Sequence, residues 1–190
     1  MKALHLNRPH AIMMVGIPGS GKTFFAEAFA KTFNTPYLNL DDIEQRSADA
    51  AAAGELTVNF LTELAKTEQT FVLEGNSATR TWRTEFAKWA RAHGYAPLFV
   101  WTQVDNTTAL KRTLKNGRLD RDGFAAALRS FSTPHPDEKA VVISGKHTYA
   151  SQARMVLNHL VAQNRPTNTA GARRAGVVPV TPPSRNIIVK

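Results

Sequence analysis

Short apolar runs alternate along this chain with stretches whose apolar residues recur every three or four positions, the periods of strand and helix. The runs predict strands at Ala11–Val15, Pro36–Leu40, Thr70–Glu74, Ala96–Thr102 and Ala140–Ser144. The stretches between them predict helices over Thr23–Phe33, Asp42–Ala53, Glu55–Glu68, Thr81–His93, Thr107–Lys115, Gly123–Phe131 and Tyr149–Gln163. Gly94, Gly117 and the run Thr133-Pro134-His135-Pro136 punctuate them as turns. Strands that alternate with helices imply an α/β fold, a five-stranded parallel sheet with helices on both faces. Within the fourth helix Trp82, Phe86 and Trp89 fall at i, i+4 and i+7, which predicts packing against the sheet. Residues 1–163 therefore form one domain, and 164–190, rich in Pro, Thr, Asn, Gly and Arg, form a basic extended or disordered tail.

One stretch carries specific chemistry. Gly16-Ile17-Pro18-Gly19-Ser20-Gly21-Lys22-Thr23 matches G-x-x-x-x-G-K-[ST] between the first strand and the first helix. Glycines let backbone N–H groups converge on a polyphosphate, and the helix start points its positive dipole end at the anion. Lys22 supplies a point charge for the β- and γ-phosphates, and Thr23 a hydroxyl for Mg²⁺. The pattern predicts a nucleoside triphosphate site over residues 16–23.

A second cluster, Asn39-Leu40-Asp41-Asp42, falls at the carboxyl end of the second strand, where ligands of open parallel sheets bind. Asp41 is placed to accept a proton from an attacking hydroxyl, and Asp42 to cap the following helix beside the substrate. Arg46 joins them on the acceptor side. The third strand ends in Glu74, suited to hold a metal-bound water or orient a substrate, and Asn76 follows in a polar loop. Lys111 to Arg121 reads as a small helical lid, with Arg112 and Arg118 available to the transferring phosphoryl group; a solvated helix end would use the same residue types. Ser144-Gly145-Lys146-His147-Thr148 imitates a second phosphate loop but has Ala140 at the first-glycine position, so it is expected to border the adenine instead.

Charge separates the two ends. Residues 1–138 hold 16 Lys/Arg against all 15 Asp/Glu, whereas 139–190 hold 8 basic residues and no acid. Such a positive C-terminal segment attracts phosphate backbones, though a tail that serves only solubility has the same composition. The chain has no cysteine, which rules out disulfides and thiolate zinc sites, and no apolar run long enough to span a bilayer, so no membrane association and a cytoplasmic location are expected.

Gly16–Thr23, Asn39-Leu40-Asp41-Asp42, Glu74-Gly75-Asn76 and Lys111-Arg112 follow the order and approximate spacing of phage-type polynucleotide kinases, and residues 11–145 resemble that P-loop kinase domain. The resemblance implies ATP and Mg²⁺ as donor, Asp41 as general base, and a lid arginine on the phosphates. Two positions depart from the family: Leu40 stands where an arginine often precedes the paired aspartates, and Glu44 where an arginine would grip an acceptor phosphate. No phosphatase domain follows, so a bifunctional end-healing enzyme is not expected. The chain is also similar to the phage P-loop kinases that phosphorylate hydroxymethylated pyrimidines within DNA, which makes 5-hydroxymethyluridine in DNA the sharper expectation for the acceptor and DNA the expected partner; a polynucleotide 5′-hydroxyl kinase, a small-molecule kinase for a nucleoside or nucleotide, and a nucleotide-dependent binding ATPase are the alternatives. In a phage setting, cytoplasmic means the host cytoplasm.

Overall fold

The computed structural model of the protein describes residue 4 and residues 6–163; the expected tail, 164–190, lies outside the described residues. The elements run β1 (His10–Val15), α1 (Lys22–Phe33), β2 (Tyr37–Asn39), α2 (Leu40–Arg46), α3 (Ala50–Thr67), β3 (Phe71–Glu74), α4 (Arg80–Ala92), β4 (Ala96–Gln103), α5 (Asn106–Asn116), α6 (Arg121–Ser130), β5 (Val141–Ser144) and α7 (Tyr149–Gln163). A single 3₁₀ turn at Pro136–Glu138 precedes β5.

All strand pairs are parallel, in the order β2-β3-β1-β4-β5. β1 is central: Ala11 lies opposite Phe71 on one side and Pro97 on the other. Alternation divides its side chains between two cores. Ile12 and Met14 pack with Phe25, Phe29, Val156 and Leu160 under α1 and α7. Ala11, Met13 and Val15 pack with Phe86, Ala87 and Ala90 under α4. Because both faces are covered, every residue of β1 is buried, which explains an uninterrupted apolar run in place of alternation. Each fully buried Phe or Leu side chain contributes about 1.5–3 kcal/mol, so the loop that follows β1 hangs from a strand anchored in both cores.

Two expectations fail locally. The pair of helices expected to divide at Gly54 instead divides at residues 47–49, and Gly54 lies inside α3. Asp49 caps α3 by accepting from the Ala52 N–H at 2.9 Å, while Ser47 Oγ donates back to the Ile43 carbonyl at 2.7 Å. A cap with a satisfied N–H fixes a helix start more firmly than one glycine weakens a helix interior. The aromatic stripe of α4 holds in part: Phe86 and Trp89 pack toward the sheet as expected, but Trp82 is 56% exposed and Arg83 is buried with Phe86, Ala87 and Ala90.

Candidate active site

The phosphate loop is a backbone device. After β1 the chain turns through Gly16–Gly21 and enters α1 at Lys22. Gly19 has φ 74°, and a Cβ there would run into the Ala109 carbonyl and the Thr113 hydroxyl of α5. Glycine is required both by the dihedral and by this close approach. Gly21 occupies the N-cap of α1 and gives no side-chain cap, so the first-turn N–H groups remain available to an anion. Ser20 Oγ is buried without a hydrogen-bond partner. Lys22 Nζ donates to the Ile17 carbonyl at 3.2 Å, folding the ammonium over the loop. Burial lowers the Lys22 pKa from its ordinary value, opposed by the charges of Glu74 and Asp41. An uncapped helix start, an orphan hydroxyl and a cation beside it match the needs of a bound polyphosphate.

Glu74, 3% exposed, closes the floor. Its Oε1 accepts from Thr23 Oγ1 at 2.8 Å and its Oε2 from the Tyr37 hydroxyl at 2.7 Å. Glu74 therefore holds Thr23 directly. Since the Thr23 hydroxyl donates its hydrogen bond to the carboxylate, its oxygen lone pairs stay free for a hard cation. The donor set fits Mg²⁺, which keeps several waters and takes few protein ligands; no group of three or more His, Cys, Asp or Glu that could hold a metal occurs among the described residues. Tyr37 was not marked by the sequence. Burial first, then the hydrogen bond to Glu74, raises its pKa and keeps its proton in place.

Asp41 and Asp42 both sit in the first turn of α2. The cap is not Asp42: Asn39 Oδ1 accepts from the Asp41 N–H at 3.1 Å, because the helix begins at Leu40, two residues earlier than expected. Asp42 instead faces the Arg118 guanidinium at 3.6 Å. Gly75, with φ 109°, lies where a Cβ would overlap Leu40, so the end of β3 presses directly on the start of α2. Asn76 follows with φ 50°, a conformation asparagine tolerates better than most residues. Asp41 and Asn76 both line a cavity of about 450 Å³ between α2–α3 and α4. Arg46 is exposed in the last turn of α2 and does not line it.

The expected lid is two different things. α5 is fixed to the phosphate loop through Ala109 and Thr113, both buried, and Arg112 on it donates to the Gly145 carbonyl at 3.0 Å. The exposed part begins at Leu114 and runs to Asp122, and Arg118 lies within it. The loop after β5 is drawn in by a bond from the Gly145 N–H to the Gln103 carbonyl at 2.7 Å. Ile17, Ser144, Lys146 and His147 line a second cavity of about 790 Å³. Lys146 pairs with Asp105 at 2.6 Å, and that contact leads the lowering of the Asp105 pKa.

Arg83 was missed altogether. It is fully buried, chelates Glu138 at 2.7 and 3.0 Å, and donates to the carbonyls of Ser77 at 2.9 Å and Ser132 at 3.0 Å. One guanidinium thus ties the loop after β3 to the segment before β5. Burial alone would raise the Glu138 pKa; the hydrogen bonds of Arg83 and of the His135 N–H leave it lowered. Arg83 falls three and four residues before Phe86 and Ala87, which puts it on their face of the helix, but only the carboxylate of Glu138, 55 residues away, makes its burial favourable.

A glycine-rich phosphate loop after the central strand, a strand order of 2-3-1-4-5 and a helical excursion between the last two strands define a P-loop kinase fold. Residues 12–134 match the AAA domain family, and the chain belongs to that family. A gluconokinase from Sinorhizobium meliloti 1021 is similar in structure, with TM-score 0.63 and 18% identity over 82% of this chain and 94% of that one. The Mycobacterium tuberculosis APS kinase CysC in complex with AMPPNP and APS aligns with TM-score 0.59 and 18% identity, covering 82% and 98%. A chain of the Pnkp1/Rnl/Hen1 RNA repair complex aligns with TM-score 0.56 and 20% identity, covering 67% and 45%. A search of curated proteins found no match. No helix among the described residues is long and apolar enough to cross a membrane.

Proposed function

We propose that this protein is an ATP-dependent kinase of the cytoplasm that transfers the γ-phosphoryl group to a hydroxyl on nucleic acid, with the hydroxymethyl group of 5-hydroxymethyluridine in DNA as the acceptor. The observation that carries the proposal is the position of Asp41, which lines the acceptor cavity while its charge acts on Lys22 of the phosphate loop. The kinase names of the gluconokinase and APS kinase neighbours support phosphoryl transfer, and the RNA repair neighbour supports a nucleic-acid acceptor. The acid-free C-terminal segment supports contact with a phosphate backbone.

Bound Mg²⁺ would neutralise phosphate charge next to Thr23. Backbone N–H groups of residues 16–23 and the Lys22 ammonium hold the donor phosphates. Asp41 orients the acceptor hydroxyl and takes its proton as the oxygen bonds to phosphorus. Glu74 fixes Thr23, and Asn76 and Glu74 border the acceptor. Arg118, on the exposed segment, leaves Asp42 to meet charge on the transferring group, while Arg112 steadies the loop that borders the adenine.

The test is a transfer assay with γ-labelled ATP and a panel: DNA containing hydroxymethyluracil, 5′-hydroxyl DNA, 5′-hydroxyl RNA and free nucleosides. Label in internal positions of the modified DNA is expected. Label confined to free nucleosides makes this a small-molecule kinase, and ATP hydrolysis with no labelled acceptor overturns the kinase proposal.

A further inference from the structure

The acceptor cavity has an unusual composition for a site beside a phosphate loop. Its floor is apolar, formed by Met13, Leu40, Leu73 and Phe86, and no Lys, Arg or His lines it among the described residues. Its charged groups are Asp41, Glu44 and Glu85. Glu85 is paired with Lys88 at 2.9 Å, Glu44 has no ion-pair partner among the described residues, and Asp41 forms no direct ion pair there, the charge acting on it being that of Lys22 in the phosphate loop. Carboxylates with no cation among the cavity's own lining residues repel an anion, and the apolar floor would strip the hydration from any ion that entered.

The two tryptophans on the wall differ. Trp89 is locked in place, stacked on Phe86 and His93 and edge-on to Phe71. Trp82 is 56% exposed and makes no ring contact among the described residues. A large aromatic side chain that lines a cavity, half exposed and without a ring partner among the described residues, is not explained by the core. The cavity, about 450 Å³, lies within the range of sites that enclose small ligands, roughly 300–1,000 Å³.

We infer that this cavity receives an uncharged planar ring bearing the acceptor hydroxyl, stacked on Trp82 with the hydroxyl directed to Asp41, and that the same walls reject a ring carrying a negative charge. This deepens, and rests on, the kinase reading above. It makes Trp82 a specificity-determining residue: the ring's faces are read by stacking, and its charge by Asp41 and Glu44. Any phosphates of the acceptor molecule stay outside the cavity, where the ring's attachment leads them.

The test measures equilibrium binding to the full chain saturated with AMPPNP, using 5-hydroxymethyl-2′-deoxyuridine and, as the charged counterpart with the same ring, 5-carboxy-2′-deoxyuridine. AMPPNP binding is measured separately by calorimetry. The neutral nucleoside should bind saturably, and the carboxylate at least about tenfold more weakly. Because stacking on an aromatic side chain is lost on truncation, Trp82→Ala should weaken the neutral nucleoside about tenfold and Trp82→Phe should restore most of it. Trp82 is 56% exposed and has no ring partner among the described residues, so neither substitution should shift the melting temperature by more than a few degrees or alter AMPPNP affinity. Equal affinity for the two nucleosides, no binding of the neutral one, or full affinity in Trp82→Ala overturns the inference. If those results come with normal AMPPNP binding, the kinase reading stands without it; if AMPPNP itself fails to bind, the kinase reading is what has failed.

Discussion

The phosphate loop is built by backbone, and the cavity proposed for the acceptor is built by side chains. The phosphate loop is shaped by glycines pressed against α5, and its charge comes from one lysine and a helix start. The acceptor cavity is shaped by three helices whose placement depends on single side-chain contacts: Asn39 and Asp49 as caps, Leu40 beneath Gly75, and Arg83 behind α4. A backbone cradle binds any triphosphate in the same way, so it need not change when the substrate does. A side-chain cavity can be re-lined one residue at a time, which is what the proposed choice of a specific acceptor requires.

If the acceptor side depends on its contacts in this way, removing one should cost folding energy that the donor side does not share. Glu138→Ala leaves the Arg83 guanidinium buried without its carboxylate, and the expected loss is about 3–5 kcal/mol. A chemical denaturation series would reveal it, and a change under about 1 kcal/mol would mean that water or the carbonyls of Ser77 and Ser132 already satisfy the charge. Lys22→Ala tests the other side. Turnover should fall on the order of a hundredfold or more, with stability and acceptor binding kept, because a preorganised charge is lost from the transition state. Near-normal transfer in a folded variant would remove the loop from the chemistry.

The smallest effect is expected at the junction. Tyr37→Phe deletes one hydrogen bond to Glu74 and should cost about 0.5–1.5 kcal/mol of stability. It should also raise the Mg²⁺ concentration needed for nucleotide binding, since Glu74 then holds Thr23 less firmly. Unaltered Mg²⁺ dependence would reduce Tyr37 to a packing residue.

The two sides were unequally legible in the sequence. The phosphate loop was readable because its geometry depends on glycine positions, and these appear in the sequence as letters at fixed spacing. The sheet was readable because a strand covered on both faces must be apolar throughout, as His10–Val15 nearly is. The acceptor side was not, because its geometry depends on which of several capable residues wins a local competition. Asn39 and Asp42 can both cap a helix, and the winner depends on where β2 stops. Gly54 and Asp49 can each mark a boundary, and the bonded one prevailed. Trp82 and Arg83 are neighbours on α4; hydrophobicity favours burying the tryptophan, yet Glu138, distant in sequence, makes the arginine the buried one.

The central claim is that Asp41 joins the two sides, with its carboxylate serving the acceptor hydroxyl next to a phosphate loop it does not help to bind ATP. The most direct measurement is turnover and AMPPNP affinity for Asp41→Asn beside Asp42→Asn. The amide keeps the shape of Asp41 and loses the proton acceptor, so turnover should fall about a hundredfold to ten-thousandfold with nucleotide affinity nearly unchanged. Asp42→Asn weakens only an exposed pair with Arg118 and should leave turnover within a few-fold of the parent. The reverse pattern, or a loss of nucleotide affinity in Asp41→Asn that accounts for the whole defect, would contradict the claim.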